Sequence, residues 1–371
     1  MIELQNDHNV YILGAGFSCD GGLPTLPEFL TKMRDCHPWL LERSRTLEAE
    51  AIKDVLQFRL DAASAAYWVS QDLENIEELF SLASASAGGL DGKIQRAIAA
   101  TLDYCGAVST RAKGTITIDK LHCGGYLSWV PAPPAGQQSA AAGRYEYHIA
   151  RLLGLFRDGS MQGRNTFVTF NYDTLLENAL SNIGIPFTYG FKPKSVRYDK
   201  SAKAKKQADI KVLKLHGSTN WARKERKGRN FTVFGDYKDV RDASLIPQLV
   251  PPTWKKILQG QLADVWDSAV SNLGTATRVI IIGFSIPPTD MHFKYLLAAG
   301  LQRNISLREI LFVNPDRDTI VERANALLRK EYIGTSRIRF EAFRFEDFAN
   351  QDGILWHIGR GIKDGALVRF I

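Results

Sequence analysis

The stretch YILGAGFSCDGGLP, residues 11–24, decides how this chain is read. Val10, Tyr11, Ile12 and Leu13 form an apolar run of strand type, and Gly14, Ala15 and Gly16 follow with no spacer. A strand that runs into a glycine turn lets a diphosphate approach the backbone, where N–H groups can hold it. The usual dinucleotide fingerprint wants a third glycine three positions on; Cys19 stands there instead. That fingerprint also expects a second strand ending in an acidic residue ~20 positions on, but here the region is helical in pattern and marked by Pro24 and Pro27. The ordinary dehydrogenase arrangement is weakened accordingly. A P-loop ATPase is weakened too, because no G-x-x-x-x-G-K-[ST] segment occurs.

Further along, the same kind of run recurs in NTFVTFNYD (165–173), IKVLKLHGS (210–218), TRVIIIGFS (277–285), REILFVNPD (308–316) and RIRFEAF (337–343). The first four are β-rich and apolar and end in small or polar residues, as parallel strands buried on both faces do. Ligands in such sheets bind beyond the carboxyl ends of the strands. Gly14, Gly16 and Ser18, Asn171 and Asp173, His216 and Ser218, Gly283 and Ser285, and Asn314 and Asp316 collect there. The expected fold is α/β: a Rossmann-like parallel sheet with helices on both faces, plus a mostly helical inserted subdomain over residues 30–150. Residues 40–110 have helical periodicity, 106–143 read as linker, and YEYHIARLLGLF (145–156) reads as a further helix.

The totals narrow the function classes. The 371 residues allow one large domain with an insertion, or two domains. No apolar run approaches the roughly 20 residues of a membrane helix, and the first residues lack a signal-peptide pattern, so a cytoplasmic protein with no membrane partner is expected. Cys19, Cys36, Cys105 and Cys123 form no C-x-x-C pair, which predicts no zinc site or other metal site. Much of the net charge of +7 lies in residues 192–211 and 223–229. Those stretches read as solvated loops or as a phosphate or nucleic-acid contact.

The strand ends, taken in order, resemble the sirtuin family. The matching pieces are Gly14-Ala15-Gly16-Phe17-Ser18, Gly22-Leu23-Pro24, Asn171-Tyr172-Asp173, His216-Gly217, Gly283-Phe284-Ser285 and Val313-Asn314. The resemblance implies a domain that binds NAD as a substrate and cleaves its bond to nicotinamide, with 1–371 as one such domain. Protein-deacylating sirtuins carry Asp-Phe-Arg where Thr25, Leu26 and Pro27 stand, and usually two zinc-binding cysteine pairs, absent here. NIEELFSL (75–82) and GFSIPPTD (283–290) look like the prokaryotic sirtuin-domain proteins of antiphage defence. That branch implies an NAD+ hydrolase (NADase) that starves the infected cell through abortive infection. Only 55 residues follow Asp316, too few for a separate sensor domain. Control by homo-oligomerisation or by a partner is expected, a HerA-type hexameric ring ATPase being one candidate. An NAD-dependent protein deacylase and a non-catalytic NAD or ADP-ribose sensor are the rival readings.

Nicotinamide leaves a positively charged ring as a neutral molecule, so the chemistry needs no general acid. It needs a held ribose, a placed water and stabilisation of an electron-poor sugar. Asn171, which can donate and accept hydrogen bonds, orients the ribose or the water, or else caps the next helix. His216 is the candidate general base; a lone strand-end histidine is otherwise structural. Gly14, Ala15, Gly16, Phe17 and Ser18 are assigned to the diphosphate, with Pro24 and Thr25 beside them. Asp173 faces the carboxamide or caps a helix. Gly283, Ser285 and Asn314 are assigned to the phosphate and adenosine ribose.

Overall fold

A computed structural model describes residues 7–63, 68, 72–85, 90–111, 113–119, 139–155, 161, 163–223, 231–250, 260–287, 291–329, 337–350, 360–363 and 366–369. The stretch 11–24 becomes strand β1 (His8–Leu13), a turn at Gly14 and the short helix α1 (Ala15–Cys19). Four helices follow: α2 (Leu26–Leu41), α3 (Thr46–Asp61), α4 (Ile76–Ala85) and α5 (Asp91–Val108). Next come an antiparallel hairpin, β2 (Thr115–Asp119) and β3 (Ser139–Gly143), and helix α6 (Arg144–Leu152). The hairpin lies where the composition reads as linker. TITID alternates with period 2 as a strand does, but its partner SAAAG has no strand signature; backbone pairing, which composition does not record, makes it one.

Strands β4 (Arg164–Thr169), β5 (Phe187–Thr188), β7 (Ile210–Lys214), β11 (Arg278–Ile282), β12 (Glu309–Val313) and β13 (Ile338–Glu341) join β1 in one seven-stranded sheet. The order is β13-β12-β11-β1-β4-β7-β5, and every pairing is parallel. Val279–Ile282 and Ile310–Val313 are at most 2% exposed, which is why those runs are continuously apolar rather than alternating. Helix α6 packs against both α7 (Leu175–Asn182) and a Phe345–Asn350 helix, while Gln261–Leu273 packs with Met291–Leu301. The fold is thus the expected Rossmann-like α/β sheet flanked by helices.

Two further parts complete the fold: the helical segment that the periodicity of 40–110 predicts, and a small sheet that it does not. Helices α2 to α5 bury a core of their own around Leu30, Met33, Leu40, Ile52, Leu79, Phe80 and Ile98, whereas α6 contributes Ile149 and Leu152 to the sheet's core. Strands β6 (Arg197–Tyr198), β8 (Gly217–Ala222), β9 (Thr232–Val233) and β10 (Pro247–Leu249) form a small second sheet, ordered β10-β8-β9-β6. Trp221 anchors it, stacked on Phe231 at 5.3 Å and edge-on to Tyr189 and Phe191, each at 4.9 Å. Two-residue strands carry no periodicity of their own.

Candidate active site

The chain builds outward from β1 in both directions: β4, β7 and β5 lie on one side, β11, β12 and β13 on the other. Such a switch point opens a crevice beyond the strand ends. Here Gly14 N–H donates to Ile282 O at 3.0 Å, Gly16 N–H to Gly283 O at 2.9 Å, and Gly283 N–H to Val313 O at 2.9 Å. A Cβ on Gly14 would lie 2.5 Å from the Phe284 Cα, and one on Gly283, whose φ is +62°, would lie 2.3 Å from the Phe17 N. The glycines therefore let two strand ends touch. Two N–H groups assigned above to a diphosphate are engaged with β11. The Phe17 ring is buried against Phe345, centroids 4.2 Å apart, and edge-on to Tyr145 at 5.7 Å.

The end of β4 meets the same turn from the other side. Asn171 Nδ2 donates to Gly14 O at 2.8 Å and to Ser18 Oγ at 2.9 Å. Ser18 Oγ donates in turn to Asp173 Oδ2 at 2.8 Å. Asp173 Oδ1 accepts the N–H of Leu175, the first residue of α7, at 3.0 Å. Asp173 thus supports the helix start and joins the site, while Asn171 ties the turn rather than capping the helix. These three side chains, with Thr169, line a small pocket whose apolar part is Leu13, Phe17 and Leu176. An amide, a hydroxyl and a carboxylate thus converge beside an apolar wall at the switch point.

Sequence reasoning missed the two charged pocket-lining residues Lys214 and Glu177, as well as Leu13, Thr169 and Leu176. The Lys214 and Glu177 side chains are 1% and 3% exposed, and Lys214 Nζ lies 3.0 Å from Glu177 Oε1. Lys214 also donates to the backbone carbonyl of Asp173. Burial pushes the Glu177 carboxyl above its usual range, and the Lys214 charge pulls it back. A lysine closing the apolar run IKVLK was the available signal.

His216 sits in the turn between β7 and β8, 6% exposed, its ring edge-on to Phe170 at 5.1 Å and tilted to Tyr172 at 6.2 Å. It is not among the residues lining the pocket. Gly217, at φ +83°, turns the chain out of the main sheet, and Ser218 Oγ donates to Asn220 Oδ1 at 2.6 Å. Thr25 starts α2, its N–H and Oγ1 donating to Glu28 Oε2 at 3.1 and 2.9 Å, with buried Pro24 before it. Asn314 Oδ1 accepts the Asp316 N–H at 3.0 Å, and exposed Ser285 gives its carbonyl to Arg323 at 2.6 Å. Ala15, Pro24, Thr25, Gly283, Ser285 and Asn314 stand around the strand ends, outside the pocket lining. Pro288, Thr289 and Asp290 of the GFSIPPTD stretch lie outside the described residues.

In the first basic stretch Lys192 pairs with Asp264 at 2.8 Å and Lys203 bonds Asn178 Oδ1 at 2.7 Å. Of residues 223–229 only Arg223 is described. Among the described residues no group of three or more His, Cys, Asp or Glu is placed to hold a metal ion. No helix among them is long and apolar enough to cross a membrane.

Among solved structures, one similar chain is a Sir2 with an inhibitor, 2′-O-acetyl-ADP-ribose and a deacetylated peptide: 14% identity, TM-score 0.36, covering 95% of this chain and 94% of that one. A Sir2 homologue mutant with ADP-ribose matches at 14% identity and TM-score 0.41, covering 95% and 91%. A third, described as bearing on the mechanism and regulation of Sir2 enzymes, matches at 12% and 0.40, covering 95% and 92%. No curated protein sequence matches significantly. Residues 165–335 match the family described as the SIR2-like domain. The matched segment runs from β4 past β12 and carries Asn171, Asp173 and His216.

Proposed function

We propose that this protein is an NAD+ glycohydrolase that releases nicotinamide and ADP-ribose, acting in the cell as an antiphage, abortive-infection effector by depleting NAD. The observation that carries the reading is the bonded trio Asn171, Ser18 and Asp173, which converges on a small pocket at the switch point. In this reaction a water oxygen bonds to ribose C1′ as the bond to the nicotinamide nitrogen breaks. The electron pair leaves with neutral nicotinamide, and the water gives up a proton. Asn171 orients the ribose or the water through its amide, and Asp173 meets the carboxamide. Its negative charge also favours the electron-poor sugar. His216, which stands outside that pocket's lining in the turn after β7, is the proposed base for the water or a ribose hydroxyl. Gly14, Ala15, Gly16, Phe17 and Ser18, with Pro24, Thr25, Gly283, Ser285 and Asn314, form the surround for the rest of the dinucleotide. No zinc takes part. Control comes from homo-oligomerisation or from a HerA-type ring ATPase.

The deacylase alternative is disfavoured by Thr25, which occupies the first Asp-Phe-Arg position and starts a helix. Chromatography of nicotinamide and ADP-ribose from the purified protein tests the proposal, with and without an acyl-lysine peptide, beside Asn171→Ala and His216→Ala. Nicotinamide without peptide, lost in both variants, supports it. Turnover only with peptide means a deacylase, and tight NAD binding without turnover means a sensor.

A further inference from the structure

The buried pair Lys214–Glu177 has no part in the chemistry above, yet it lies under the pocket. Three observations make it unlike a stabilising ion pair. Both charges are almost fully withdrawn from water, where desolvation offsets or exceeds the mutual attraction. The ammonium sits beside the start of α7, where the helix dipole favours an anion. And the pocket it lines would hold a sugar that gains positive charge, which a lone lysine would oppose. Glu177, in the first turn of α7, neutralises that lysine. What the lysine does hold is the Asp173 carbonyl, while the Asp173 carboxylate is turned to Ser18 and to the α7 start. Glu177 is held in its turn: Tyr189 OH donates to Glu177 Oε1 at 3.3 Å, and Asn220 Nδ2 donates to Tyr189 OH at 3.1 Å. Asn220 Oδ1 accepts from Ser218. The network therefore runs from the Asp173 loop to the strand that follows His216.

We infer that Lys214, neutralised by Glu177, is a positioning residue that fixes the Asp173 backbone so that its carboxylate stays aimed into the pocket with Ser18 and Asn171. The inference rests on reading that pocket as the NAD site. The test variant is Lys214→Met with Glu177→Gln, which removes both charges, fills similar volume and keeps an acceptor for Tyr189. Hydrogen exchange is measured over residues 170–176, with β1 and β11 peptides as reference. Leu175, whose amide bonds Asp173, is expected to exchange at least ~10-fold faster while the reference peptides are unchanged. Nicotinamide release is expected to fall in kcat by about 10- to 100-fold, with KM for NAD within about 3-fold. Wild-type exchange in the double variant overturns the inference, and so does uniform acceleration in every peptide, which would make the pair a stability element. If the wild type neither binds nor cleaves NAD, the proposed function fails, and the exchange measurement still decides whether Lys214 positions Asp173.

Discussion

Gly283→Ala is the sharpest test of how the switch point is built. Gly283 has φ +62°, where an L side chain costs about 1–2 kcal/mol. The new Cβ would lie 2.3 Å from Phe17 N and 2.5 Å from Gly16 C, both backbone atoms that cannot rotate away. Relief requires β1 and β11 to part at their ends, which strains Gly14 N–H···Ile282 O and Gly16 N–H···Gly283 O, each contributing roughly 1 kcal/mol. The sum is about 3–4 kcal/mol. Gly184→Ala is the control: Gly184 has φ +77° just past α7, and nothing lies within 4 Å of its would-be Cβ. It isolates the left-handed backbone cost, about 1 kcal/mol at the low end of that range. At ~2.1 cal/mol/K per residue, 371 residues give an unfolding entropy of about 0.8 kcal/mol/K. Melting temperature should therefore fall by about 5 °C for Gly283→Ala and about 1 °C for Gly184→Ala, read by circular dichroism with denaturant titration beside it. Equal shifts in the two variants would refute the claim that a glycine contact closes the switch point.

Asn171→Ala loses bonds to Gly14 O and Ser18 Oγ and is expected to lower stability by about 1–2 kcal/mol in denaturant titration; nicotinamide release should fall at least about 100-fold, and near-normal release would remove Asn171 from the chemistry. Trp221→Ala empties the centre of the second sheet and should destabilise by about 3–5 kcal/mol in the same titration. Burial, then the Arg144 and Arg151 charges, lower the His148 pKa to about 4, and burial with Arg164 does the same for His8. Both bind protons more readily unfolded, so stability is full above about pH 6.5 and is lost on acidification toward pH 4. The denaturant midpoint should fall between pH 7 and 5, and His148→Asn should flatten that fall by on the order of 1 kcal/mol.

The sheet was legible because burial on both faces leaves a local mark. VIII at 279–282 and ILFV at 310–313 can only be solvent-free strands, and the polar residues just past them fall where parallel strands end. The placement of Asn171 and Asp173 after NTFVTF followed from the same rule. Other features depend on partners far away in the chain. The SAAAG strand exists only because Thr115–Asp119 lies beside it, and β8 and β9 are defined by each other and by the Trp221 cluster. The sequence showed Gly14 and Gly16 as a turn built for close approach; only the fold shows that Gly283, from nearly 270 residues away, packs against that turn. It also parts His216 from the pocket lining and brings Lys214 against Glu177, which no spacing rule pairs. Local sequence thus determined which segments are strands and which residues end them, since periodicity and apolarity record burial residue by residue. Which of those ends share one pocket was decided by strand order and by where the chain turns out of the sheet, and these follow from contacts between residues distant in sequence.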